Sequence, residues 1–165
     1  MLIREIVGHV LNIDISNRTQ DILDIEWYET TKRIARRTTR NGQDIALKLL
    51  QEKMRLQDGD ILHMDEQQVI IIHIKPCEVL RIAPVNMREM AAICYEIGNK
   101  HLPLYIEGEA LLIPYEAPID RWLQASGYNA EKTTTQLLHP LQTSVTPHGN
   151  DTSLFTKILQ FAAGN

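Results

Sequence analysis

Strand-length runs of apolar and β-branched residues dominate the first half of the chain. These runs cover residues 2–10, 22–28, 33–39, 44–50, 61–64 and 68–74. Runs of this length and composition, separated by turn residues, are typical of β-strands. A proline at position 76 breaks the last run, so we predict an all-β module over residues 1–75.

Asn41-Gly42 lies between two of these runs. This dipeptide is the strongest short signal for a β-hairpin, because both central residues of a two-residue turn must accept positive φ. Asp58-Gly59-Asp60 and Asp65-Glu66-Gln67 mark two more tight turns. The strands of the module are therefore expected to follow one another closely along the chain.

The pattern changes after Pro76. A strand at 78–82 precedes a helix, for which Asn86 is the expected N-cap and Glu89 completes a capping box. The buried face of this helix is predicted to carry Met87, Met90, Ala91, Cys94 and Ile97. Gly98 can take the left-handed conformation that ends a helix, and we predict that the helix stops there.

Three more strands and a second helix complete the pattern. The strands are predicted at residues 104–106, 110–113 and 133–138. Pro118 suits the first turn of the second helix, and Gly127 ends it. The order strand, helix, strand, strand, helix, strand predicts a ferredoxin-like βαββαβ module over residues 76–139, so the fold class is α+β. Residues 140–165 are rich in Pro, Thr, Ser, Gly and Asn, and we expect an irregular, flexible tail.

Composition narrows the classes of function. The chain has 165 residues, of which 44% are hydrophobic, so it can bury a core. A formal net charge of -4 argues against nucleic acid as the main ligand. We find neither a signal peptide nor an apolar run long enough to span a membrane. We therefore expect a cytoplasmic protein whose two cysteines are reduced.

Sequence signatures of enzymes are missing. The chain has no phosphate-binding P-loop, no Gly-x-Ser-x-Gly elbow and no His-Glu-x-x-His helix. Cys94 falls on the apolar face of the predicted helix, where an inert thiol is expected. Cys77 has no histidine nearby in sequence to act with it. We therefore expect a protein that is not an enzyme.

Two histidines follow breaks in the predicted elements. His101 lies just after the expected helix stop, and His148 is flanked by Pro147 and Gly149 in the tail. A neutral imidazole in such a place can bind a metal ion or transfer a proton, and an ordinary loop histidine is the alternative. The other four histidines are expected to be packing or loop residues: His9, His63, His73 and His139.

A basic run covers residues 32–37, with Arg40 close behind it. It could form a nucleic-acid patch, the solvated face of a hairpin or a protein-docking surface. The acidic balance of the whole chain favours the solvated face. Trp27 and Tyr28, just before the run, are compatible with either a core or an interface.

Several segments, in order along nearly the whole chain, resemble the UreE family of urease accessory proteins. They are residues 23–30, 32–36, 40–46, 58–62, 93–101 and 144–148. Gly98-Asn99-Lys100-His101 is similar to the Gly-Asn-Arg-His signature of that family. Ser144-Val145-Thr146-Pro147-His148 resembles the tail of epsilon-proteobacterial members.

The resemblance implies a homodimer with a peptide-binding-like β module and a ferredoxin-like metal-binding module. It implies that His101 of each subunit meets its twin at the two-fold axis and binds one Ni²⁺, with Zn²⁺ possible at the same site. His148 is expected to help complete the coordination. The implied recipient is the urease maturation complex, through the GTPase UreG and then apo-urease. A metal-independent scaffold that binds a partner peptide is the alternative function.

Two departures from the family pattern limit these expectations. Some relatives carry a His-x-His pair where this chain has residues 114–117, and a histidine-rich tail where this chain keeps only His148. One interfacial site per dimer is therefore expected, without storage of several ions. Lys100 in place of Arg keeps the charge but loses the planar, bidentate guanidinium.

Overall fold

The computed structural model describes residues 1–50 and 55–141. In these residues the chain forms two α-helices, one short 3₁₀ turn at Trp27–Glu29 and eleven strands. The helices are α1 (Met87–Asn99) and α2 (Ala117–Ala125). The strands are β1 (Leu2–Ile3), β2 (Gly8–His9), β3 (Thr19–Ile25), β4 (Ile34–Thr38), β5 (Asp44–Lys48), β6 (Asp60–Met64), β7 (Gln68–Ile74), β8 (Cys77–Ile82), β9 (Tyr105–Glu107), β10 (Ala110–Pro114) and β11 (Ala130–Thr135). The predicted α+β class is confirmed.

The first 75 residues form two sheets that share one core. One sheet has the strand order β1-β5-β4, and the other has the order β2-β6-β7-β3. Apolar side chains from both sheets meet in a single buried cluster. Its members are Ile3, Leu23, Ile25, Ile45, Leu47, Leu49, Leu56, Leu62, Ile70, Ile72 and Ile74. The alternation of apolar residues along the strands is therefore what sends one face of each sheet into the core.

Two strand predictions in this part are wrong in their bounds. The run 2–10 forms two separate two-residue strands rather than one. The run 22–28 contributes to β3, which begins earlier at Thr19 and ends at Ile25. Trp27 then begins the 3₁₀ turn, because the chain leaves the sheet after β3. The polar start of β3 is held in the sheet by parallel pairing with β7.

The hairpin between β4 and β5 is confirmed, but its turn differs from the prediction. Among non-glycine residues of the described chain only His101 has positive φ, so in this turn Gly42 alone, at φ 86°, is left-handed. The Gly42 N–H donates to the Thr39 carbonyl, and the Thr39 N–H donates to the Gln43 carbonyl. This is a three-residue loop with one left-handed glycine, which needs no positive φ at Asn41.

Residues 77–135 form a four-stranded antiparallel sheet covered by both helices. Its order is β11-β8-β10-β9, so β10 lies between the two strands that α1 connects. This is the predicted ferredoxin-like βαββαβ arrangement. The last strand is Ala130–Thr135 rather than 133–138, because it pairs with the full length of β8. The predicted tail from residue 142 on lies outside the described residues.

The buried face of α1 differs from the prediction. Ile93 and Ile97 are fully buried, with Met90 and Cys94 packed partly against the same core. Met87, by contrast, is 86% exposed, and Ala91 is exposed as well. Helical spacing alone fits either set, since the apolar residues cover more than half of the helix circumference. Packing on β8 and β10 selects the side that carries the two isoleucines.

The two parts of the chain meet through an aromatic contact and a polar one. The Trp27 ring packs edge-to-face on Tyr105, with ring centroids 6.3 Å apart. Trp27 also packs against a small buried cluster on the sheet of the second module. Its members are Val79, Tyr105, Leu112 and Leu137. The Gln136 side-chain amide donates to the Ile74 carbonyl at 2.6 Å and to Asp58 at 3.1 Å. These contacts fasten β9 and the end of β11 to the first module.

Candidate metal centre

The end of α1 holds His101 in a left-handed backbone conformation. The helix continues through Gly98 to Asn99, with Lys100 as the C-cap, so the predicted stop at Gly98 is wrong. His101 has φ 55°, the region that closes helices. The His101 N–H donates to the Gly98 carbonyl at 3.0 Å. The Leu102 N–H donates to the Ile97 carbonyl at 3.3 Å.

These two hydrogen bonds are the pair that defines the Schellman motif. The motif also brings the residue after the left-handed position onto the last turn of the helix. Leu102 accordingly packs against the core cluster that contains Ile97. His101 is therefore the helix stop itself, rather than a loop residue beyond it.

The second helix ends in the same way, but with glycine. Gly127 has φ 74° and donates to the Gln124 carbonyl at 3.1 Å. The Tyr128 N–H then donates to the Leu123 carbonyl at 3.1 Å. Glycine is the usual residue at this position, because a side chain is strained by left-handed φ. Histidine tolerates the conformation better than branched residues do.

The imidazole of His101 lies on the surface. Within residues 1–50 and 55–141, no group of three or more His, Cys, Asp or Glu side chains is placed to hold a metal ion. Among the described residues, His101 therefore does not belong to a complete metal site within one chain. An imidazole nitrogen suits Ni²⁺, Cu²⁺ and Zn²⁺ alike.

An exposed apolar stripe runs along α1 towards His101. Met87, Ala91, Tyr95 and Gly98 are spaced by four, four and three residues, so they share one face of the helix. Met87 is 86% exposed and Tyr95 is 69% exposed. A side chain at Gly98 would meet no atom within 4 Å. The described residues thus leave this face of α1 uncovered up to the turn that carries His101.

The other four histidines that the structure describes do not gather at this turn. His9, His63 and His73 lie on β2, β6 and β7, as predicted. His9 lies within 2.9 Å of the Asp58 carbonyl, and His73 lies 3.2 Å from the Asp58 carboxylate. His139 lies in the loop after β11, where its carbonyl accepts from the Ile106 N–H. His148, the second predicted ligand, lies outside the described residues.

Neither cysteine is placed to act as a reactive thiolate. Both are free and half-buried. Burial raises the pKa of the Cys94 thiol, which lies 3.9 Å from the Met90 sulfur. Burial, with a smaller effect of Glu26, also raises the pKa of Cys77. A raised pKa lowers the thiolate fraction, so the expectation of inert packing for Cys94 agrees with its surroundings.

From the sequence we predicted a metal ligand at His101, but we did not predict that this residue ends α1. The signal was present in Leu102, because an apolar residue directly after the left-handed position is typical of the Schellman motif. Gly98 is a stronger local signal, since glycine is the commonest stop. In the structure the left-handed position is taken by His101 instead, because this lets Leu102 reach the core.

Among the residues that the structure describes, neither helix is long and apolar enough to cross a membrane. Family models match the two parts of the chain separately. Residues 3–75 match the N-terminal domain of the UreE urease accessory protein, and residues 77–151 match its C-terminal domain. Together the two matches cover most of the sequence.

Individual proteins with this name are similar over most of their length. A urease accessory protein UreE of Flavobacterium johnsoniae is 46% identical over 164 residues, which is 98% of this chain and 99% of that protein. One of Actinobacillus pleuropneumoniae is 37% identical over 145 residues, which is 86% of this chain and 78% of that protein. One of Helicobacter hepaticus is 42% identical over 135 residues, covering 80% and 78% of the two chains.

The expected resemblance to epsilon-proteobacterial members in particular is too narrow. The Flavobacterium protein is more similar, and over a longer stretch, than the Helicobacter protein. The expectation of a UreE family member is confirmed, and this family consists of accessory proteins rather than enzymes. Both domain models, in the expected order, and relatives that align along nearly the whole chain lead to one conclusion. The chain belongs to the UreE urease accessory protein family.

Proposed function

We propose that this protein is a homodimeric nickel metallochaperone for urease maturation. In this proposal His101 of each subunit binds one shared Ni²⁺, and His148 adds to the coordination. The ion is cargo, passed through the GTPase UreG and the maturation complex to apo-urease in the cytoplasm. Zn²⁺ can compete for the same imidazoles, because the first-row affinity order does not single out nickel.

The observation that carries the choice of ligand is the exposed imidazole of His101 at the end of α1. The described part of the chain places no group of three or more potential metal ligands there. A two-fold axis duplicates any residue that lies near it, so a single histidine per chain becomes a pair. Two imidazoles form an open site, which suits an ion that must leave again.

The stripe on α1 supports a dimer in which the two turns meet. Exposed apolar residues on a helix are commonly covered by a partner. The stripe consists of Met87, Ala91, Tyr95 and Gly98, and it ends one turn before His101. A second copy packed along this face would bring the two histidines together. Glycine at position 98 leaves room for that close approach.

The metal proposal is tested by calorimetric titration of Ni²⁺ into the full chain and three variants. We expect His101→Gly to lose nearly all high-affinity binding while it keeps the helix-ending turn, because glycine accepts the left-handed backbone. His139→Ala removes an exposed imidazole elsewhere and should bind Ni²⁺ like the unaltered protein. His148→Ala should bind more weakly without losing the site.

Each result has a clear meaning. Unchanged nickel binding by His101→Gly would overturn the choice of His101, and unchanged binding by His148→Ala would remove His148. The expected stoichiometry is one ion for two chains. A ratio of one ion for each chain, at the same affinity, would contradict a shared site.

The second candidate is a scaffold that binds a partner independently of metal. The exposed basic strand β4 favours it, since Arg36 and Ile34 both face solvent there. Binding of purified UreG to apo and nickel-loaded protein separates the two functions. Binding that is equal in both states, together with normal urease activation by His101→Gly, would favour the scaffold over the metallochaperone.

A further inference from the structure

Strand β4 is an open edge of its sheet. Among residues 1–50 and 55–141, the order β1-β5-β4 leaves one side of β4 without a neighbouring strand. The Thr39 N–H donates to the Gln43 carbonyl, and the Leu49 N–H donates to the Arg33 carbonyl. The odd-numbered residues of β4 therefore bond to β5. Antiparallel pairs alternate, and the N–H and C=O groups of even-numbered residues therefore point away from the sheet.

Three residues present their backbone on this side, namely Ile34, Arg36 and Thr38. In the described part of the chain their N–H groups have no acceptor. The Arg36 carbonyl accepts from the Arg37 guanidinium at 2.8 Å, and its second lone pair stays available. An unpaired row of donors and acceptors of this kind is a template for another strand.

Two of the other edge strands make backbone hydrogen bonds with neighbouring segments of the chain. The Arg40 N–H donates to the Ile22 carbonyl of β3, so the hairpin turn caps that edge. On β9, the Ile106 N–H donates to the His139 carbonyl, and Tyr105 bridges to Pro140. Strand β4 makes no such backbone bond through Ile34, Arg36 or Thr38 among the described residues.

The charges around β4 are mostly positive. Glu29 pairs with both Lys32 and Arg37 and offsets one of their two positive charges, and Asp24 pairs with Arg40 at 2.8 Å. Arg36 lies on the outer side, is exposed, and forms no salt bridge among the described residues. The unbalanced charge of the edge is therefore positive.

Apolar surface lies beside that charge. Ile34 is 76% exposed on the same side of the sheet as Arg36, because side chains two residues apart in a strand point the same way. Leu2 and Ala46 continue the row across β1 and β5, since both lie in register with Arg36. The outer face of β4 thus places one exposed apolar side chain, Ile34, next to one exposed cationic side chain, Arg36.

Pairing of β4 with a second copy of itself is unfavourable in the register that overlaps the two strands fully. An antiparallel pair of two identical β4 strands centred on Arg36 would place one Arg36 directly opposite the other. Like charges directly opposite in a sheet are destabilising. The charge pattern therefore favours a partner of opposite sign.

We propose that β4 binds an extended, acidic segment of a partner protein by strand addition. Its backbone bonds to Ile34, Arg36 and Thr38, a carboxylate lies opposite Arg36, and an apolar side chain lies against Ile34. Backbone bonds supply affinity in this mode, and alternate side chains supply selectivity. The surface is separate from the turn that carries His101, and the inference stands whether or not that turn binds nickel.

The test uses the full chain and a synthetic peptide of alternating valine and glutamate with a fluorescent label. We expect saturable binding by fluorescence anisotropy, with slowed amide exchange at Ile34, Arg36 and Thr38. Arg36→Glu should weaken binding by about ten-fold, through loss of one attraction and gain of one repulsion. Arg121→Glu makes the same charge change on the exposed side of α2 and should bind like the unaltered protein.

Two further peptides separate strand addition from charge attraction alone. A version with lysine in place of glutamate should not bind. A version with N-methyl groups on alternate residues keeps the side chains but removes backbone donors, and it should also fail to bind. Equal binding of the N-methylated peptide, equal weakening by Arg121→Glu, or exchange protection away from β4 would each overturn the proposal.

Discussion

His101 and Gly127 occupy the same position of the same helix-ending motif. Each has a left-handed backbone, at φ 55° and φ 74°, and each is followed by a residue whose N–H bonds back to the last turn. Glycine takes this conformation without steric cost, whereas a side chain does not. The protein therefore keeps an imidazole at a position where backbone energetics favours its absence.

Replacement of this histidine should stabilise the fold. We predict that His101→Gly raises the free energy of unfolding of the metal-free protein by about 1 kcal/mol, because the left-handed strain is relieved. Gly127→Ala is the mirror change and should lower it by a similar amount. Urea denaturation at equal protein concentration measures both. A His101→Gly protein that is less stable than the unaltered one would show that the ring makes a stabilising contact.

Replacement of Gly98 should be tolerated by the fold of a single chain but should disturb the proposed dimer. A methyl group there meets nothing within 4 Å, and glycine inside a helix costs about 1 kcal/mol relative to alanine. We expect Gly98→Ala to raise subunit stability by up to that amount. Gly98→Glu should shift the protein towards monomer in sedimentation velocity, because it places two like charges near the axis. An unaltered sedimentation coefficient would remove Gly98 from the interface.

Trp27 should matter far more than its neighbour Tyr28. The Trp27 indole packs between the two modules on Tyr105, whereas Tyr28 is 56% exposed. We predict that Trp27→Ala lowers the free energy of unfolding by about 3 kcal/mol, the low end for a large aromatic, because the half-buried indole packs against two core clusters. Tyr28→Ala should cost less than about 1 kcal/mol. Equal losses in urea denaturation would mean that the junction is not a packed core.

The turn at Asp65 should make stability depend on pH in the acid range. The backbone N–H groups of Gln68 and Gln67, with a hydrogen bond from His63, lower the pKa of the Asp65 carboxyl from 3.8 to about 2. A carboxyl whose pKa falls on folding adds stability that is complete above its unfolded pKa and is lost as pH falls through the folded one.

Unfolding free energy should therefore decrease between about pH 4 and pH 2, with a contribution from this carboxyl. Asp65→Asn cannot ionise and should show a shallower decrease over that interval. Urea denaturation of both proteins at several pH values measures the difference. Parallel curves would show that other carboxyl groups account for the whole acid response.

The sequence predicted those features that depend on short-range signals. Asn86 caps α1 through its bond from the Glu89 N–H at 2.9 Å, and Gly127 ends α2. Local residue preferences suffice for both, because the partners lie within one turn. The βαββαβ order was predictable for a related reason, since it needs only the type and sequence of the elements.

Features decided by tertiary packing were predicted less well. α1 runs to Asn99, and the left-handed residue after its cap is His101 rather than Gly98, because Leu102 must reach the core. The buried side of α1 includes Ile93 and leaves Met87 outside, because two faces of the helix are apolar and only the sheet distinguishes them. A single chain also gives no direct sign of what lies across an exposed stripe.

The Schellman motif at the end of α1 has a thermodynamic consequence for any ligand of His101. The backbone of this residue is already fixed by its own hydrogen bond, by that of Leu102, and by the packing of Leu102 in the core. Only the side-chain torsions of the imidazole are left to settle when something binds to it. The entropic cost of organising a flexible loop, which commonly weakens binding at surface histidines, has already been met by folding.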